Sequence, residues 1–203
     1  MLFVPGNHEY DLLEFSAAHQ ALKDACSALG ITWLERETLV LQGIRFIGTT
    51  LWTDFEAFAT GNTVKDIKSR DKAFKAANFW LQQAAGTHEG ELFLAPQMRD
   101  LALQCQTWLR AALEQPFDGK TVVITHFAPS LQSADKRYGL QPGTAGFCNA
   151  LDELLPHADL WMHGHLHCPH DYQAGRCRVV ANPLGYARKG EQEHFNAERV
   201  FAI

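Results

Sequence analysis

The sequence has few of the features that mark several common protein classes. Its five cysteines are odd in number and scattered, and no CxxC pair occurs, so neither a disulfide framework nor a thiolate zinc site is indicated. Eighteen Lys and Arg stand against 23 Asp and Glu, and the net charge of −5 argues against a nucleic-acid-binding surface. No uninterrupted apolar run is long enough to cross a bilayer. These absences predict a globular protein of the reducing cytoplasm with neither a nucleic-acid nor a membrane partner.

Apolar residues alternate between helical and extended spacing along the 203 residues. The predicted helices cover residues 12–29, 64–84, 96–114 and 147–155. The predicted strands cover residues 2–4, 38–41, 45–51, 121–125, 160–163, 176–181 and 199–203. Residues 86–90 are predicted to form a loop. Alternating strands and helices without a linker predict one layered α/β domain over residues 1–203.

Polar side chains follow three of the predicted strands. The sequence FVPGNHEYD ends a strand almost at the start of the chain, and His126 follows the apolar run TVVIT. His165 and His167 follow the strand LWMH, and their spacing of two places them on one side of extended backbone. An isolated histidine is more often structural, but several strand-end imidazoles together favour a divalent-metal site. The neighbouring His163 should point away and take at most a supporting role.

Three motifs in order, Gly-Asn-His-Glu, Thr-His-Phe-Ala-Pro-Ser and Gly-His-Leu-His, resemble the last three motifs of the calcineurin-like metallophosphoesterases. The stretches RFIGTTLWTDF, LWMHGH and NPLGY resemble a bacterial subgroup of that family. The resemblance covers nearly the whole chain. It implies an α-β-β-α sandwich and hydrolysis of a phosphomonoester or phosphodiester through attack by a metal-bound hydroxide.

The resemblance also implies roles for individual residues. Asn7, His126 and His165 match the ligands of one metal ion, and His167 matches a ligand of a second ion. Manganese, iron, zinc, nickel and cobalt all suit such nitrogen and oxygen ligands, and manganese is favoured.

Two further residues match the catalytic machinery. His8 matches the histidine that approaches the phosphate without binding metal, and Glu9 matches the acidic residue that orients this histidine.

Two motifs of the family are absent from the sequence. Family members carry Asp-x-His and Gly-Asp ahead of Gly-Asn-His, and these motifs supply the bridging carboxylate and further ligands of the second metal. Neither motif occurs anywhere in the chain. The sequence therefore predicts a domain truncated at its N-terminus, which holds at most one metal ion and self-associates through exposed sheet edges.

Three functional interpretations follow. The first is a metal-dependent phosphoesterase that acts on a phosphate-ester substrate and is impaired in this short form. The second is an inactive relative with a weak single-metal site and a structural or interaction role. The third is a phosphate-ligand binder without hydrolytic activity. The intact set of downstream motifs favours the first interpretation.

Overall fold

The computed structural model describes residues 1–203, in which ten strands and three α-helices alternate along the chain. The strands are β1 (Leu2–Phe3), β2 (Thr32–Trp33), β3 (Glu37–Leu41), β4 (Ile44–Thr49), β5 (Thr87–His88), β6 (Glu91–Leu92), β7 (Lys120–Thr125), β8 (Leu160–His163), β9 (His170–Ala174) and β10 (Cys177–Ala181). The helices are α1 (Phe15–Ala28), α2 (Thr63–Ala84) and α3 (Ala95–Glu114). Several short 3-10 helices connect these elements.

The central sheet has six strands in the order β3-β4-β7-β8-β10-β9. The inner strands β4, β7, β8 and β10 are parallel, whereas β3 and β9 join the two edges in antiparallel orientation. Strands β1 and β2 form a separate parallel pair, and α1 connects them. A mixed sheet flanked by helices confirms the predicted α/β class.

The three long helices were predicted within about three residues of their ends because their apolar spacing and capping residues are clear. The side chain of Glu14 accepts a hydrogen bond from the N–H of Ala17 and starts α1. The side chain of Asn62 does the same for Lys65 at the start of α2. Side-chain oxygens at these positions satisfy N–H groups that have no partner within the helix.

The predicted helix over residues 147–155 is wrong. The structure has a 3-10 helix only at Asp152–His157, and the chain before it is irregular. The Asn149 side chain lies in the core, where its amide faces the backbone carbonyls of Leu51, Trp52 and Ala128 at 3.3–3.4 Å. These tertiary contacts hold the segment away from helical geometry.

The predicted strand over residues 199–203 is also wrong, because β10 already has a hydrogen-bonded neighbour on each side. Phe201 instead packs against the face of the sheet beside Val180. The predicted loop over residues 86–90 contains the short strand β5, which pairs in antiparallel orientation with β6 directly after the loop and also differs from the prediction. The edge strand β9 was not predicted.

The two faces of the central sheet are covered unequally. Ile47, Val123 and Trp161 point into a cluster of 26 buried residues that also includes the apolar side of α3. The opposite face carries a cluster of only three buried residues, Val122, Leu160 and Val180, with half-buried neighbours.

None of the three helices combines the length and the apolar character that crossing a membrane requires.

Candidate metal centre

The candidate site lies where strands β1, β7 and β8 end. Asn7 lies in the loop after β1, His126 follows β7 directly, and His165 lies two residues after β8. Parallel strands deliver their carboxyl ends to one edge of a sheet, which is the usual place for a ligand site in α/β proteins. The backbone N–H of Gly164 donates to the His126 carbonyl at 3.0 Å and ties two of these loops together.

Three polar atoms from these loops converge on one point. Asn7 Oδ1 lies 2.8 Å from His126 Nε2 and 3.1 Å from His165 Nδ1, and the two imidazole nitrogens are 3.1 Å apart. The residues are separated by 119, 158 and 39 positions in the sequence. The structure therefore brings together the three residues assigned to one metal ion, which we call the Asn-His-His cluster.

Both imidazoles in the cluster are held in the neutral form. Burial, together with the nearby His8, His163 and His167, lowers the pKa of His126 to about 3. Burial and the neighbouring His126 lower the pKa of His165 well below its ordinary value of 6.5. A neutral imidazole has a free lone pair on one ring nitrogen, so a metal ion can bind this nitrogen without displacing a proton.

Hydrogen bonding alone does not satisfy the Asn-His-His cluster. Asn7 Oδ1 only accepts, and a neutral imidazole carries one N–H, so no placement of protons makes all three contacts favourable. A cation at the centre would satisfy the three lone pairs together. The spacing also fits, since ligands at right angles with bonds of about 2.1 Å lie about 3.0 Å apart. The residues present therefore fit a divalent metal ion.

The ligand set carries no negative charge. No group of three or more His, Cys, Asp or Glu side chains in the molecule is arranged to hold a metal ion. The Asn-His-His cluster is not such a group, because it has only two histidines and its third member is the amide of Asn7. Two imidazoles and an amide oxygen bind a divalent ion more weakly than a set that includes a carboxylate.

Local packing fixes the orientation of His165. Its backbone adopts a left-handed conformation with φ of 61°, which is uncommon for a residue with a side chain and turns the ring inward. The ring packs against Phe127 in a tilted arrangement with centroids 4.1 Å apart, and its centroid lies 5.3 Å from that of the Phe147 ring. His165 Nε2 is buried without a hydrogen-bond partner, so Nδ1 is the nitrogen that faces polar atoms.

Gly6 allows the first loop to approach His126 closely. A Cβ atom at this position would lie 2.5 Å from Cε1 of His126 and 2.9 Å from Oε2 of Glu9. Real Cβ atoms do not approach other atoms so closely, so only glycine fits here without displacement. The Gly6 N–H donates to Glu9 Oε2 at 2.8 Å, which places this carboxylate against the loop backbone.

His8 lies beside the cluster with an exposed side chain and contacts residues other than the predicted ones. Its Nδ1 pairs with Asp11 Oδ2 at 2.7 Å, and its Nε2 lies 3.3 Å from the Tyr186 hydroxyl. The assignment of Glu9 as the carboxylate that orients His8 is therefore wrong, because Glu9 bonds the Gly6 backbone. Asp11 holds that position, and it lies one helical turn after His8, a spacing at which the pairing could have been recognised.

His167 stands apart from the other three metal-ligand candidates. Its Nδ1 pairs with Glu191 Oε2 at 2.8 Å, and its ring meets the edge of Tyr186 with centroids 4.6 Å apart. The Glu191 side chain is only 5% exposed and also accepts the Tyr186 N–H at 2.8 Å. A carboxylate bound to Nδ1 leaves Nε2 free for another partner. The sequence motif NPLGY contained Tyr186 but gave no role for it, and no signal pointed to Glu191.

Four further histidines serve packing or local contacts. His163 Nε2 lies 2.9 Å from Ser133 Oγ, which belongs to a separate network, in keeping with its predicted exclusion from the ligands. His170 Nε2 lies 3.2 Å from Cys168 Sγ. His19 and His88 pack in the aromatic cluster around Phe15, where their rings are only partly exposed.

Comparison with solved structures identifies a protein that has a similar fold. The phosphopantetheinyl hydrolase of Mycobacterium tuberculosis aligns with 93% of this chain and 70% of its own, with a TM-score of 0.71 and 20% sequence identity. The chain has a phosphoesterase-like fold.

Sequence comparison adds a viral relative. The uncharacterized protein L509 of Acanthamoeba polyphaga mimivirus is 23% identical over 210 aligned residues, which cover 97% of this chain and 71% of the viral protein. No protein-family model matches the sequence. The assignment to a bacterial calcineurin-like subgroup stays a prediction.

Proposed function

We propose that the protein is a metal-dependent phosphoesterase with one divalent ion at the Asn-His-His cluster. The observation that carries the proposal is the convergence of Asn7 Oδ1, His126 Nε2 and His165 Nδ1 within 2.8–3.1 Å of one another. A divalent ion held there supplies Lewis acidity, which polarises a phosphoryl oxygen and makes a water molecule more acidic. The phosphoesterase-like fold supports the same chemistry.

The protein's own residues supply binding and proton transfer. Asn7, His126 and His165 hold the ion, and the aromatic rings around His165 restrict water on its inner side. His8 lies at the open side, where its Nδ1–H donates a hydrogen bond to Asp11 and the Tyr186 hydroxyl lies 3.3 Å from Nε2. The departing group of the substrate would approach this Nε2. In its protonated form His8 gives the Nε2 proton to the oxygen of the departing group and returns to neutral imidazole.

The uncharged ligand set favours slow turnover. A carboxylate ligand would increase metal affinity and fix the position of the ion, and the cluster has none. The same observation supports a second candidate function, in which the cluster binds a metal ion or a phosphate ligand and hydrolysis does not occur.

The test combines metal binding with hydrolysis. Purified protein is titrated with Mn²⁺ by calorimetry and assayed with p-nitrophenyl phosphate and bis(p-nitrophenyl) phosphate, with and without a chelator. We expect Mn²⁺ binding and chelator-sensitive hydrolysis, and we expect His165→Ala to lose both. His157→Ala is the matched control because His157 is an exposed histidine outside the cluster.

The outcomes separate the candidates. Mn²⁺ binding without hydrolysis of either ester would favour the binding role over the enzyme. Absence of Mn²⁺, Fe²⁺, Co²⁺, Ni²⁺ and Zn²⁺ binding by the unaltered protein would overturn the proposed function. Equal metal affinity in His165→Ala would show that the ion binds elsewhere.

A further inference from the structure

Thr50 lies behind the Asn-His-His cluster, immediately after strand β4. It is 1% exposed and contacts neither imidazole of the cluster by a hydrogen bond. Strand β4 pairs with β7 in parallel through Thr49 and Thr125, so Thr50 lies beside His126 at the same edge of the sheet. Its position places it between two of the loops that carry the candidate ligands.

Thr50 ties these two loops together. Its hydroxyl donates to the carbonyl of Pro5 at 3.0 Å, two residues before Asn7. Its own carbonyl accepts the N–H of Phe127 at 3.0 Å, one residue after His126. One residue therefore fixes the distance between the loop that carries the amide ligand and the loop that carries the first imidazole.

A buried carboxylate holds Thr50 in turn. Glu35 accepts a hydrogen bond from the Thr50 backbone N–H, and its other oxygen accepts from the Thr49 hydroxyl at 3.3 Å. The residue is 8% exposed, and the Arg36 guanidinium lies 3.4 Å away. A buried carboxylate is costly unless it is paired and hydrogen-bonded, so its presence in the core calls for an explanation.

We infer that Thr50 is a positioning residue for the metal site and that Glu35 holds Thr50 in place. The inference rests on the proposed function, since it assigns the geometry of the Asn-His-His cluster to the hydrogen bonds behind it. The three cluster atoms lie within 3.1 Å of one another only while both loops keep their spacing. Supporting hydrogen bonds behind a metal site commonly contribute to its affinity.

The chain contains a matched control for Thr50. Thr53 is 0% exposed and its hydroxyl has no hydrogen-bond partner, so Thr53→Val removes a buried hydroxyl without breaking a contact. Thr50→Val has the same change of chemistry and deprives the Pro5 carbonyl of its donor. Thr50→Ser keeps the hydroxyl and tests whether the hydrogen bond is the cause.

Two measurements test the inference. Calorimetric titration with Mn²⁺ should show an affinity about tenfold weaker for Thr50→Val, with near-normal affinity for Thr50→Ser and Thr53→Val. Amide hydrogen exchange of the metal-free proteins should be faster in Thr50→Val at Gly6 and Phe127, whose N–H groups are hydrogen-bonded in these loops, and unchanged at Val123 in strand β7. A purely structural role would lower the melting temperature of Thr50→Val without a loss of Mn²⁺ affinity, whereas Thr53→Val breaks no contact and shows the effect of removing a buried hydroxyl alone.

The exchange measurement keeps this inference distinct from the proposed function. If the unaltered protein binds no metal, the proposed function fails, while faster exchange in Thr50→Val would still show that the residue ties the loops. If the unaltered protein binds Mn²⁺ and Thr50→Val binds it equally with unchanged exchange, the inference is overturned. Should Thr50→Val not fold, Glu35→Gln replaces it. The carboxamide has an NH2 group in place of one carboxylate oxygen, so one of the donors that Glu35 accepts from loses its acceptor. Unchanged Mn²⁺ affinity and exchange in Glu35→Gln would then overturn the inference.

Discussion

The hydroxyl of Tyr186 lies 3.3 Å from Nε2 of His8, although 178 positions separate the two residues. Asp11 engages the other ring nitrogen of His8 at 2.7 Å. His8 is thus oriented from both sides while it stays outside the Asn-His-His cluster. This arrangement separates proton transfer from metal binding and leads to the first prediction.

His8→Ala should reduce turnover and leave the metal content unchanged. Loss of a general acid typically costs about 10²–10⁴-fold in rate, whereas no ligand is removed. Steady-state hydrolysis of p-nitrophenyl phosphate with Mn²⁺ and elemental analysis of the same preparation test both parts. Asp11→Asn should cause a smaller loss, since His8 stays present but is less well oriented. Loss of metal in His8→Ala would place His8 among the ligands.

The protein should bind at most one divalent ion per chain. Three candidate ligands meet at one point, whereas His167 is engaged by Glu191 and no group of three acidic, thiol or imidazole side chains gathers around it. Elemental analysis after equilibrium dialysis against Mn²⁺ measures the ratio. His167→Ala should keep the ratio of the unaltered protein, and His165→Ala should abolish binding. Two tightly bound ions per chain would reveal ligands that this assignment lacks.

Gly6→Ala should destabilise the protein and weaken metal binding together. The added Cβ would lie 2.5 Å from the His126 ring, so the ring or the loop must move. Overpacking of this kind typically costs about 1–3 kcal/mol in the free energy of unfolding.

Chemical denaturation and Mn²⁺ titration measure the two effects of Gly6→Ala. Gly143→Ala is the control, because its Cβ would have no neighbour closer than 3.7 Å and its φ is not left-handed. A Gly6→Ala protein with unchanged stability and metal affinity would show that the loop adapts freely.

The sequence predicted the long helices, the inner strands and the strand-end polar residues because each depends on local patterns. Helix α2 has a clear cap at Asn62, and strand β7 is an apolar run bounded by charge and by His126. The irregular course around Asn149 was not predictable, since its side-chain amide donates to carbonyls about 20 to 100 positions away in the sequence. Strand β9 was missed because it is short and mostly polar, with Tyr172 as its single large apolar side chain, although half-buried and exposed positions alternate along it.

The candidate site shows the same division. Asn7, His126 and His165 were predictable because motifs mark them, and each motif lies at a strand end. The contact of His8 with Tyr186 and the pairing of Glu191 with His167 depend on how the segment after β10 returns to the site. Spacing along the chain carries no information about such a return.

The stability of the protein should depend on pH through Glu35. Burial raises the pKa of Glu35 above its ordinary value of 4.5, against the opposing effect of the hydrogen bonds from Thr50 and Thr49 and of Arg36. At a pH between the pKa of Glu35 in the unfolded chain and its higher pKa in the folded protein, the unfolded chain has released the carboxyl proton while the folded protein retains it. Glu35 therefore costs stability progressively as the pH rises from the unfolded to the folded pKa, and the cost is constant above that.

Glu35→Gln removes this dependence. The free energy of unfolding of the variant, relative to that of the unaltered protein, should increase as the pH rises above about 4.5 and then level off. Urea denaturation at a series of pH values measures the difference. A difference that instead falls as the pH rises towards about 4.5 and is constant above that would mean that the hydrogen bonds, rather than burial, dominate the pKa of Glu35.

The protein should self-associate as its concentration rises. Strand β3 forms an edge of the central sheet, and Val40 and Leu41 on it are 55% and 51% exposed. An edge strand with apolar side chains offers unpaired backbone groups to another chain.

Light scattering over a range of concentrations should show a mean mass above that of one chain. Val40→Lys should restore the single-chain mass, because a charge on the edge opposes strand pairing. Val64→Lys, at an exposed position in the first turn of α2, should leave the association unchanged. A constant single-chain mass for the unaltered protein at all concentrations would contradict the prediction.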